Sequence, residues 1–126
     1  MSGVVYDAGA FIAAERNDRR FWADHRVRLE AGLVPVAPAP VVAQVSRSAR
    51  QVQLRRLLRG CEVVPLDEGL AHVVGRLLGR SGTADIVDAT IVTIAMNAQA
   101  DIVTSDVGDI SRLARAAGAR LTIIAT

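Results

Sequence analysis

Lysine is missing from this chain, and all fifteen of its basic residues are arginine. Any mechanism that requires a lysine is therefore excluded. Arginine suits bidentate phosphate contact, although GC-rich coding produces the same bias. Cysteine occurs once, at Cys61, which rules out internal disulfides and thiolate metal clusters. No uninterrupted apolar run reaches the ~18 residues of a membrane span. The opening residues, Met1 to Asp7, carry no basic region ahead of their apolar stretch, so no signal peptide is indicated. From these absences a cytoplasmic protein is expected. There is also no G-x-x-x-x-G-K-[ST] loop and no G-x-G-x-x-G fingerprint. The serines have no histidine partner or nucleophile elbow.

What is present is a chain of 126 residues, 51% apolar. That length suits one domain, 1–126, with a real core. Short apolar runs alternate with helical patterns. Strands are expected at 4–6, 33–36, 62–64, 102–104 and 121–124. Helices are expected at 8–15, 19–31, 41–46, 50–58, 67–79, 84–98 and 111–117. The clearest is 67–79, where Leu70, Val73, Val74, Leu77 and Leu78 fill the i, i+3, i+4, i+7, i+8 template. Such alternation predicts an α/β fold with a mainly parallel sheet. Ligands of these sheets bind beyond the carboxyl ends of the strands, where strand order reverses.

The chemistry is carried by aspartates. Asp7 and Asp106 each follow a predicted strand, Asp85 and Asp88 open a helix that is nearly all apolar, and Asp109 lies close behind Asp106. A helix apolar all round belongs in the interior, and a buried carboxylate is costly unless it is paired or bound to a metal. Several carboxylates without nearby His or Cys match Mg²⁺ or Mn²⁺. Each acid also has a plainer reading: Asp7 and Asp109 could cap helices, and Asp106 could be a turn residue. Asp88, flanked by Val87, Ala89, Ile91 and Val92, is the hardest to explain that way. His25 and His72 lack ligand-like spacing and are expected on helix surfaces. Phe21 and Trp22 could stack a base or form an interface, with at least one of them in the core. Charge is uneven: residues 16–59 carry ten Arg against three acids, and the remainder five Arg against ten acids. A basic segment beside an acidic pocket suits a polyanion held near a cation.

These residues together resemble the PIN-domain ribonucleases, specifically the VapC-like toxin of bacterial toxin–antitoxin pairs. The resemblance rests on residues 4–11 (VVYDAGAF), residues 88–92 (DATIV), and Thr104-Ser105-Asp106 with Asp109 three further on. It spans essentially the whole chain. It implies a three-layer domain with a five-stranded parallel sheet in the order 3-2-1-4-5, and endoribonuclease activity with Mg²⁺ or Mn²⁺. Asp7, Asp88 and Asp106 would be the catalytic, metal-binding acids, with Thr104 orienting an acid or the attacking water. Asp85 and Asp109 would be auxiliary, and Arg47, Arg50, Arg55 and Arg56 would hold the RNA. A homodimer blocked by a cognate antitoxin protein is implied as well.

Two positions depart from the family pattern. Gln44 stands where an acid is usual, and Gly9 where a small hydroxyl residue is usual. The alternative function is therefore a degenerate module that binds RNA or antitoxin with little cleavage. A signalling receiver domain, which also gathers acids around Mg²⁺, would need the lysine this chain lacks.

Overall fold

The computed structural model describes residues 3–126. Its elements are β1 (Val4–Tyr6), α1 (Ala8–Glu15), α2 (Arg19–Glu30), β2 (Val36–Pro38), α3 (Ala39–Val45) and α4 (Val52–Arg59), followed by β3 (Glu62–Val64), α5 (Glu68–Ser81), α6 (Ile86–Ala98), β4 (Asp101–Thr104), α7 (Val107–Ala116) and β5 (Ile123–Ala125). The five strands form one parallel sheet in the order β3-β2-β1-β4-β5. Parallel neighbours need crossover connections, and these are right-handed. The chain steps one way from β1 to β3 and then returns across the sheet to β4 and β5. Helices of the two halves must then cover opposite faces. Contacts group accordingly, with α1 against α2, α3 and α4, and α6 against α5 and α7.

Register brings the ends of the two central strands together. Val4, Val5 and Tyr6 pair with Asp101, Ile102 and Val103, so Asp7 and Thr104 leave the sheet side by side. Helix α6 lies over this centre, and every residue from 88 to 95 is buried. Its two buried threonines are satisfied locally: Thr90 donates to the Ile86 carbonyl and Thr93 to that of Ala89.

Several boundaries differ from those read off the sequence. Strand β2 begins at Val36, not 33, because Leu33 belongs to the turn that ends α2. Gly32 takes a φ of +82° there, and the Leu33 N–H returns to the Arg28 carbonyl. This is the αL C-terminal pattern in which glycine avoids a Cβ penalty. Helix α7 starts at Val107 instead of 111, since Asp106 takes the N-cap position and Gly108 is carried within the first turn. Strand β5 is Ile123–Ala125, two residues later than its expected start. Val73, on the expected apolar face of α5, is 36% exposed, whereas Val74 and Leu77 are buried.

His25 is a larger correction, because it is buried instead of lying on a helix surface. All four of the chain's Tyr, Phe and Trp residues lie within its first 22 positions. Tyr6 meets Phe11, Phe21 and His25, and Trp22 meets Phe21 and His25. The Tyr6 hydroxyl accepts from Arg28 at 3.1 Å and lies 2.8 Å from Nδ1 of His25. In the Nε2–H tautomer of His25 the hydroxyl's own proton points to Nδ1. Burial, then Arg28 and Arg56, hold the His25 pKa below its usual value. Burial likewise pushes Tyr6 up to about 12. Trp22 donates to the Ala14 carbonyl and carries the Arg56 guanidinium 4.4 Å above its ring.

One tertiary contact ties α1 to α4. The N-cap residue of α4, Gln51, makes no side-chain cap. Instead Glu15, the last residue of α1, accepts from the Leu54 N–H at 2.9 Å. The Gln51 side chain organises the preceding loop, accepting from Arg47 and Ser48 N–H and donating to the Val45 carbonyl.

Removing the hydroxyl with Tyr6→Phe leaves the buried His25 Nδ1 without its donor. We expect a loss of about 1–3 kcal/mol in urea unfolding. Wild-type stability in that variant would show that the hydroxyl is not part of the core's support.

Candidate metal centre

The site is built where the reversal in strand order leaves a crevice at the carboxyl ends of β1 and β4. Asp7 caps α1, with Oδ1 accepting from the Ala8 N–H at 2.6 Å. Its Oδ2 accepts from the Thr104 hydroxyl, also at 2.6 Å, and the Thr104 oxygen accepts from the Asp106 N–H at 2.9 Å. One buried hydroxyl therefore joins the ends of both strands. The Asp7 N–H, donating to the Val103 carbonyl, continues the ladder into this corner.

Asp85 and Asp88 take different roles at the start of α6. Asp85 is the N-cap and accepts from the Asp88 N–H at 2.9 Å. It thus holds the first turn that carries Asp88. Asp88 lies only 8% exposed. Burial, followed by the charges of Asp85, Asp7, Asp106 and Asp109, pushes its pKa up to about 7. Single oxygens of Asp88, Asp106 and Asp109 lie within 4.8 Å of one another. Asp106 and Asp109 both stand at the start of α7 and are exposed. Desolvation and then the Asp109 charge raise the Asp106 pKa.

The five aspartates singled out in the sequence therefore gather in one region. Asp109, read as auxiliary or as a cap, sits inside the tightest trio, while Asp7 stands beside it with one oxygen already engaged by Thr104. Gln44 is exposed and lines a separate cavity of about 260 Å³ between α1, α3 and α4, together with Phe11, Glu15 and Leu54. Arg47, Arg50, Arg55 and Arg56 are all exposed on α4 and the loop before it. Arg47 donates to the Ala43 and Ser46 carbonyls and Arg55 to that of Ala49. Arg56 lies over Trp22.

Two features of the site were missed in the sequence. Thr83 and Arg112 join Asp85, Asp88, Asp109 and Leu113 around a cavity of about 80 Å³. Arg112 lies three residues after Asp109, one turn further along α7, so helical spacing alone could have found it. The second feature is the contact between Gly9 and Ser105. A Cβ on Gly9 would lie 2.6 Å from the Ser105 Oγ and 2.9 Å from its backbone nitrogen. The space a residue-9 side chain would fill is occupied by Ser105, which brings the turns after β1 and β4 into direct contact.

A hard divalent cation fits this donor set. The donors are carboxylates, no lysine exists to neutralise them, and a 2+ charge would offset the burial and the repulsion that raise the Asp88 pKa to about 7.

The PIN domain family profile matches residues 4–116. No curated protein matches the chain significantly. Among solved structures, VapBC2 from Rickettsia felis bound to a promoter DNA fragment is similar at TM-score 0.71 and 15% identity, covering 98% of each chain. DNA-bound VapBC from Salmonella typhimurium is similar at TM-score 0.68 and 16% identity, covering 99% of this chain and 98% of that one. A toxin–antitoxin complex from Klebsiella pneumoniae is similar at TM-score 0.67 and 15% identity, covering 86% and 91%. At such identities the likeness is one of fold.

The raised Asp88 pKa fixes a sign for the pH dependence. A carboxyl near 7 when folded and about 4 when unfolded favours the native state fully below pH 4. That contribution is lost as pH rises through 7. Without metal, Asp88→Asn should match wild type in thermal unfolding near pH 4. It should exceed wild type by roughly 10 °C or more at pH 8, the scale of a pKa raised from about 4 to about 7. A difference that does not change with pH would remove the burial and repulsion assigned to Asp88.

Proposed function

This chain belongs to the PIN-domain family, and from that premise we propose that it is a Mg²⁺- or Mn²⁺-dependent endoribonuclease, the toxin of a toxin–antitoxin pair. The carrying observation is the buried Asp88 amid four further aspartates, at the carboxyl ends of adjacent parallel strands. Asp7, Asp88 and Asp106 hold the ion, with Asp109 close enough to share it. When bound, the ion supplies charge neutralisation for a phosphodiester and a lowered pKa for water. Thr104 fixes the Asp7 carboxylate, so its orientation does not depend on the ion. Asp85 fixes the turn that presents Asp88. An ionised Asp88 is the form that holds a cation, so binding must release its proton, and affinity rises with pH toward a plateau above about 7.

Arg47, Arg50, Arg55 and Arg56 line the basic segment and would carry the RNA backbone, giving salt-sensitive, sequence-independent affinity. By analogy with the toxin–antitoxin complex it resembles, the chain's protein partner is an antitoxin, and we extend the same analogy to a homodimer. The test is cleavage of single-stranded RNA with Mn²⁺. Wild type should cut, and Asp88→Asn should lose at least about 100-fold in kcat/KM, as expected when a metal-site charge is removed. Equal rates, or no cleavage with either metal, would sink the enzymatic reading.

A second reading is favoured by one residue. Gln44 is neutral, exposed and turned to a cavity that it shares with Glu15, so it brings no charge to the site. If this makes the protein mainly a binding module, Gln44→Glu should raise cleavage by about tenfold or more, the scale of one added ligand. An unchanged rate in that variant removes the deficiency argument.

A further inference from the structure

We propose that Arg112 is a ligand for the substrate phosphate, held by Asp109 until a metal ion takes that carboxylate; this rests on the ribonuclease reading above. Arg112 Nη1 lies 3.4 Å from Asp109 Oδ1, and both side chains are more than half exposed. It is the sole basic residue lining the 80 Å³ cavity with Asp85, Asp88 and Asp109, and among the described residues its side chain makes no other hydrogen bond. An exposed pair of this length adds little to helix stability, so structure alone gives Arg112 small reason to face the acids. Asp109 meanwhile offers an oxygen to the cluster with Asp88 and Asp106. Arg112 and a divalent cation are therefore alternative partners for one carboxylate. Were Asp88, Asp106 and Asp109 to hold a cation, Asp109 would be neutralised and its hold on the guanidinium loosened. The guanidinium, lining the same cavity as Asp85, Asp88 and Asp109, would then be free to contact a phosphodiester. Guanidinium geometry suits bidentate contact with phosphate oxygens.

This arrangement separates metal binding from RNA binding, which makes it testable. Binding of a labelled single-stranded RNA is followed by fluorescence anisotropy with Ca²⁺, another hard oxygen-seeking cation. Mn²⁺ affinity is measured by calorimetry, and cleavage with Mn²⁺ gives kcat/KM. For Arg112→Ala we expect RNA affinity to fall about 10- to 100-fold, the scale of a lost charge-assisted contact. Its Mn²⁺ affinity should equal or exceed wild type, because a competitor for Asp109 is gone. Arg112→Lys should recover only part of the RNA affinity, keeping the charge without the fork. Arg115→Ala, which removes the same charge from α7 outside the cavity, should stay within about twofold of wild type. RNA affinity unchanged in Arg112→Ala, or Mn²⁺ affinity falling with it, would overturn the assignment. If wild type binds RNA, Arg112→Ala loses it, and neither cuts with Mn²⁺, the ribonuclease reading falls and the Arg112 contact stands. If both variants cut with equal kcat/KM, the contact falls and the ribonuclease stands.

Discussion

The Thr104 hydroxyl is the interaction on which the rest of the site depends. It gives its proton to Asp7 and takes one from the backbone of Asp106, so both valences of one small group are spent on the two strand ends. Parallel pairing of β1 and β4 brings these residues near, but pairing alone leaves the loops beyond the strands free to diverge. The hydroxyl prevents that divergence. Because it is fully buried, water does not compete for it. Gly9 and Ser105 meet across the same gap, so the corner is closed by sterics as well as by hydrogen bonding.

Around this corner the protein divides its polar groups by purpose. On one side Tyr6, His25 and Arg28 satisfy one another in a chain of directed bonds, and the histidine stays neutral. One residue further along β1, the acids do the opposite: they crowd without cationic partners, apart from the exposed contact of Asp109 with Arg112. Adjacent positions of one strand thus belong to a settled network and to an unsettled one. The unsettled network stores repulsion that only an added positive charge or a proton relieves, which is the condition for ligand-dependent chemistry.

Much of this could be read from the chain, because local signals carried it. Strand–helix alternation gave the fold class, the all-apolar run gave the burial of α6, and the strand-terminal positions of Asp7 and Asp106 gave their meeting. What could not be read was set by partners distant in sequence. His25 looks like a surface residue until Tyr6, nineteen positions earlier, is placed against it. The start of β2 moved because Leu33, apolar enough for a strand, was drawn into the close of α2. Asp109 was read as a possible cap because the last helix was expected from 111, whereas α7 starts at Val107 and carries Asp109 in its first turn. The resemblance to PIN-domain toxins supplied the strand order, which periodicity cannot distinguish from other doubly wound arrangements.

Helix α1 begins at the capping carboxylate Asp7 and ends at Glu15, whose own carboxylate caps α4. An eight-residue helix is about 12 Å long, and both of its ends are spoken for. Adding or deleting one residue would turn Glu15 by about 100° relative to Asp7, aiming it away from the Leu54 N–H. The helix is consequently a spacer of fixed length and phase. It sets how far the arginine-bearing α4 stands from the acids.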